Sequence, residues 1–93
     1  MPIVSMFYGL KVEFYPDDHL PPHFHAIYGD RKAVVRIDNG QVIAGSLPTN
    51  QLRMISCWAY MHKDELMGCW EAMRCGMSPG KIAPLTRGKE MNG

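Results

Sequence analysis

Within ten residues, Asp17 to Ala26, the sequence DDHLPPHFHA gathers two carboxylates, a proline pair and three of the chain's four histidines. Residues of these types support two chemistries. If HFHAIY is a β-strand, His23 and His25 point to the same side with Cα atoms roughly 6.5 to 7 Å apart, a spacing from which two imidazoles converge on one divalent metal such as zinc. His19 and Asp17 are then the further candidate ligands, because a catalytic zinc typically takes about three protein ligands and keeps one position open. Without a metal, His23 and His25, assisted by Asp18, form a candidate catalytic acid–base set: an imidazole titrates near pH ~6.5 and can move protons at a phosphodiester. The prolines limit the reach of His19. Leu20 before Pro21 is driven to extended conformations, and at about 3.1 Å per residue His19 lies up to about 12 Å from His23 unless the loop folds back. A structural reading stands beside both chemistries. In it Asp17 and Asp18 make a turn, the prolines set where the next strand begins, and the histidines lie half-exposed on an amphipathic sheet face.

The elements that must position these residues are read from periodicity. GLKVEFY alternates, with Leu10, Val12 and Phe14 on one side and Lys11, Glu13 and Tyr15 on the other, which is strand patterning with one buried face. HFHAIYG alternates again, Gly29-Asp30 makes a turn, and KAVVRID forms a third β-rich run. Asn39-Gly40 is expected as a type I′ hairpin turn, returning through QVIAGS. After SLP the period changes. Leu52, Ile55, Ala59, His62, Leu66, Cys69 or Trp70, and Met73 step by threes and fours, the stripe of an amphipathic helix from about Thr49 to Arg74. Gly68 and a candidate N-cap at Asp64 allow a break near His62, so one long helix and two abutting helices are both open. The expected fold class is α+β: a small antiparallel sheet of about four strands packed against one long or two abutting C-terminal helices. Residues 1–85 form one domain, KIAPL packs back as an extended segment, and 86–93 is a flexible tail.

Composition bounds the function. At 93 residues there is room for one small core, and 46% hydrophobic residues are enough to fold it. A formal net charge of +1 creates no broad field for nucleic acid or anionic lipid, so any nucleic-acid contact must use a local patch, such as Arg31, Lys32 and Arg36. No run approaches the roughly 20 apolar residues of a membrane span, and the N-terminus lacks a signal-peptide pattern. Three cysteines without a C-x-x-C pair argue against a disulfide framework, and a cytoplasmic location is expected. His62 and the tryptophans fall on the helix stripe and read as core. Eight methionines suit an adaptable partner-binding face.

Beginning MP and continuing FYGLKVEFYPDDHLPPHFHAIYGD, an NG turn, GSLP, CWAYMHKDEL, CW and KIAPL, the chain resembles the bacterial domain-of-unknown-function family 4160 over about Met1 to Leu85. The family has no assigned activity, ligand or catalytic residue to transfer. Its members are often encoded beside a second small protein, in a layout like a two-gene toxin-antitoxin or regulatory module. The resemblance therefore implies a non-enzymatic interaction module that binds a small partner protein encoded nearby, through the exposed sheet face or the Met-rich helix, with a homo-oligomer also open. The alternative is a small metal- or histidine-dependent hydrolase, such as a ribonuclease-like toxin, using His23 and His25.

Overall fold

A computed structural model describes residues 3–15 and 19–85. Its elements follow in chain order: β1 (Ile3–Phe7), β2 (Leu10–Glu13), β3 (His23–Tyr28), β4 (Arg31–Arg36), β5 (Val42–Gly45), α1 (Thr49–Met61) and α2 (Lys63–Arg74). The fold is α+β, and the sheet has five antiparallel strands in the order β1-β2-β3-β4-β5. The expectation of about four strands missed β1. IVSMF buries Val4 and Ser5 side by side and its register slips between Ile3 and Ser5, so it lacks the strict alternation that marks a half-buried strand. The turn after it is also disguised. Tyr8 and Gly9 both adopt left-handed φ, 50° and 80°, in a two-residue connection between Phe7 and Leu10, and tyrosine is an uncommon residue in that conformation.

Asn39-Gly40 does bend the chain between β4 and β5, but not as a two-residue type I′ turn. Of the two only Gly40 has a positive φ, 73°. The Arg36 N–H donates to the Gln41 carbonyl at 2.9 Å and the Gly40 N–H to the Arg36 carbonyl at 3.0 Å, so the connection spans residues 37–40. Ile37 accounts for the difference. Its side chain is buried in the core and its N–H donates to the Pro22 carbonyl at 3.1 Å, which ties the chain beyond β4 to the start of β3 and moves the turn outward.

One sheet face carries Phe7, Leu10, Val12, Phe24, Ala26, Ala33 and Val35 into the core, where they meet Ile55, Trp58 and Ala59 of α1. Leu66, Cys69, Trp70 and Met73 of α2 are buried as the stripe predicts, while Leu52 is half-buried at the edge. The helical segment divides in two. His62 has φ −116° and ψ 27°, closing α1 through its N–H to the Trp58 carbonyl and opening α2 with its own carbonyl accepting from Leu66. His62, not Asp64, takes the N-cap position, and Asp64 and Glu65 lie in the first turn, where carboxylates favour the helix dipole. KIAPL packs back along β1, with the Ile82 N–H donating to the Val4 carbonyl at 2.8 Å and its side chain in the core. Residues 86–93, expected as a flexible tail, lie outside the described residues.

Gly45 ends β5 where no other residue fits. Its φ is 74°, and a Cβ there would stand 2.0 Å from the Lys32 carbonyl oxygen across the sheet. That oxygen is backbone and accepts from the Ser46 N–H, so it cannot move aside. Gly45→Ala is expected to cost roughly 3 kcal/mol, through left-handed strain plus the clash. Urea unfolding of the variant measures it, and a loss under about 0.5 kcal/mol would mean that β5 ends differently.

Candidate functional site

The histidine segment is built around the two prolines. Pro22 is pinned to Ile37 beyond the end of β4, and from there β3 runs with His23 opposite Arg36 and His25 opposite Val34. Strand alternation sends Phe24 and Ala26 into the core, and His23 and His25 to the other face, as their spacing predicts. Their exposure differs from the expectation of a solvent-facing or half-exposed pair: each is only 8% exposed. Two aromatic rings cover them. Tyr15 stacks on His25 with centroids 4.0 Å apart and a 32° tilt, and Trp70 of α2 sits 5.2 Å from the His23 ring. Lys32 donates to the Tyr15 hydroxyl at 3.3 Å, bracing the ring that covers His25.

The His23 Nδ1–H donates to the Pro21 carbonyl at 2.7 Å. A carbonyl can only accept, so a neutral His23 carries its proton on Nδ1 and its acceptor lone pair on Nε2. The rings of His23 and His25 lie 5.3 Å apart at 69°. That distance and angle are an edge-to-face contact, one imidazole packed against the other. His19 is exposed, and among the described residues no three His, Cys, Asp or Glu side chains are grouped to hold a metal. Asp17 and Asp18 lie outside the described residues.

Glu13 is a residue that sequence reading did not single out. It pairs with His25 across the β2–β3 ladder, which places it on the histidine face, and it is only 7% exposed. Its alternation with Lys11 and Tyr15 was visible; its neighbour was not, because cross-strand register is not written in one strand.

The other candidates have structural settings. His62 packs on Trp58 with centroids 5.4 Å apart and pairs with Glu65, as a histidine at a core-lining helix junction. Cys69 is buried and its Sγ lies 3.4 Å from the Pro79 carbonyl; burial first, then the charge of Glu65, push its thiol pKa up, away from the reactive thiolate. Arg36 is held by Asp38 through two contacts of 2.9 and 2.7 Å, which leaves Arg31 and Lys32 as the exposed cations of that patch. No helix among the described residues is long and apolar enough to cross a membrane.

A five-stranded meander followed by two C-terminal helices, with α1 against its core face and Trp70 of α2 against the histidine pair on its third strand, defines a small α+β domain. The family model described as Domain of unknown function (DUF4160) matches residues 9–71, and the chain belongs to that family. The match runs from the β1–β2 turn into α2, so it includes both histidines and leaves out β1 and the segment that packs on it. No curated protein and no solved structure matches the chain.

Because both imidazoles are packed between rings, replacing His23 and His25 together with glutamine is expected to destabilise the fold by on the order of 1 to 3 kcal/mol. Thermal unfolding followed by circular dichroism reads this directly. An unchanged midpoint would return the pair to an exposed, purely chemical role.

Proposed function

We propose that the protein is a partner-binding module, one half of a toxin-antitoxin-like or regulatory pair whose other half is a small protein encoded nearby. The observation that supports this reading is at the end of α1. Tyr60 is 85% exposed and Met61 60%, side by side, with Cys57 one turn back against the Met61 sulfur at 4.0 Å. Beside them a cleft of about 400 Å³ separates α1 from the 37–40 loop, lined by Ile37, Asn39, Ser56, Ala59, Tyr60 and Lys63. Ile37 and Ala59 are almost wholly buried and give it an apolar floor. Aromatic and methionine side chains are the residues that protein interfaces concentrate, tyrosine as a rigid anchor and methionine as a conformable filler. The rim adds Lys63 and Asp38, which offer both signs of charge to set orientation.

Co-expression with the product of the neighbouring gene should give a complex that survives gel filtration. Tyr60→Ala should weaken it at least about tenfold, roughly 1.4 kcal/mol, without moving the unfolding midpoint, since the side chain is exposed. Two separate peaks at micromolar concentration would overturn the reading.

A second reading, a small metal- or histidine-dependent hydrolase of the ribonuclease-like toxin kind, is favoured by one observation. The Pro21 carbonyl fixes the His23 tautomer in the manner of the outer-shell contacts that orient metal-binding imidazoles. On this reading zinc binds the His23–His25 pair, and because bound imidazoles must be neutral, protons compete with the metal and binding weakens as the solution is acidified. Calorimetric titration of the wild type and of His23→Gln/His25→Gln, each confirmed folded, tests it. Equal heats from both proteins would exclude the site.

A further inference from the structure

We infer that the outer edge of β5 pairs with β5 of a second copy of the chain, in an antiparallel contact across a two-fold axis that joins the two sheets. A linear five-stranded sheet has two edges, and the chain treats them differently. At β1 the chain closes its own edge: the Ile82 N–H bonds to the Val4 carbonyl and the Lys81 ammonium to the Ile3 carbonyl at 2.7 Å. At β5 Ile43, Ala44 and Gly45 are all exposed, Ile43 by 46%. The bonds that flank β5, Arg36 N–H to Gln41 and Ser46 N–H to Lys32, are both made with β4 and its end, on the inner side.

Sheet edges left to solvent are ordinarily protected by a lysine, a proline or an inward-pointing charge on the strand. From Asn39 to Leu52 this chain has no charged residue, and its only proline there, Pro48, follows the strand. Neutrality also selects the occupant. An antiparallel two-fold contact sets the strand against its own reversed sequence, residue i opposite j and j opposite i, so a strand carrying one sign of charge would repel itself, whereas Gln41-Val-Ile-Ala-Gly-Ser46 is uncharged throughout. A foreign strand is told from others by side-chain pockets or by opposite charges beside the edge, and from Asn39 to Leu52 there is no charge to read. The β4–β5 register shift at Val34/Val35 and the left-handed Gly45 keep the edge short. The contact therefore covers less than the roughly 1,000 Å² of a stable interface and makes a reversible dimer with a dissociation constant on the order of 10 to 100 µM.

Sedimentation velocity of the full chain, in reducing buffer from about 1 to about 500 µM, should show a monomer–dimer equilibrium. Ile43→Lys, at an exposed position and checked for folding by circular dichroism, should raise the dissociation constant at least about tenfold. Tyr60→Ala should leave it unchanged, which separates this contact from the partner surface at the end of α1. A wild type that stays monomeric throughout, or an Ile43→Lys variant that dimerises equally well, would overturn the proposal. So would a monomeric wild type in which Ile43→Lys disrupts only the complex with the neighbouring gene's product, since the edge would then belong to a different chain.

Discussion

The burial of one indole ring organises the fold. Trp58 is fully buried, against Phe7 at 5.3 Å and edge-on to Phe24 at 5.9 Å, so it holds α1 to the first and third strands together. A buried indole N–H must find an acceptor, because leaving it unsatisfied costs on the order of 1 to 3 kcal/mol. Among the described residues the acceptor is the Ala83 carbonyl at 2.9 Å. That bond requires the chain after α2 to return along β1, which it does through the Ile82 bond to Val4. The closed β1 edge thus goes with the satisfaction of Trp58. Its other neighbour, His62, stands where the helix breaks, and after the break Trp70 of α2 packs on the His23 ring.

β3 is consequently covered on both sides near its start. Phe24 looks into the core toward Trp58, while His23 and His25 look the other way and are covered by Trp70 and Tyr15. A face that ordinary amphipathic patterning would leave to water is dry at this point, and Glu13 is drawn into the same dry patch by strand pairing. Polar side chains in such a place are held by their partners, as the Pro21 carbonyl holds His23.

Local patterns foretold local structure, and their limits were physical. The alternation of Leu10, Val12 and Phe14, and of Phe24 and Ala26, fixed which residues enter the core, and the three–four stripe found Ile55, Leu66 and Trp70. β1 escaped because its register slip breaks the alternation and because Tyr8 occupies a conformation usually reserved for glycine or asparagine. The wider Asn39-Gly40 connection escaped for another reason: it depends on Ile37 bonding to Pro22, a contact between residues fifteen positions apart. The candidate site shows the same division. That His23 and His25 share a side followed from a period of two, but that they are buried followed from Tyr15 and Trp70, whose placement needs the completed sheet and the helix break.

The same Ile37–Pro22 bond gives DDHLPPHFHA a role that neither metal nor acid–base chemistry requires. Loop 37–40 forms one wall of the cleft beside Tyr60, and it leads directly into the exposed strand β5. Both surfaces therefore ride on a single hairpin. Three ties orient that hairpin: the β3–β4 ladder, the double contact of Arg36 with Asp38, and the Pro22 carbonyl. Asp38 and Ile37 both lie in the loop, but Asp38 is held by Arg36 of the same hairpin, whereas the proline tie fastens the loop to the segment before β3, and a proline supplies a carbonyl on a backbone whose φ is already fixed. The prolines that start the histidine strand therefore also set the angle of the hairpin, so the segment richest in chemical groups shapes the two surfaces on which association would depend.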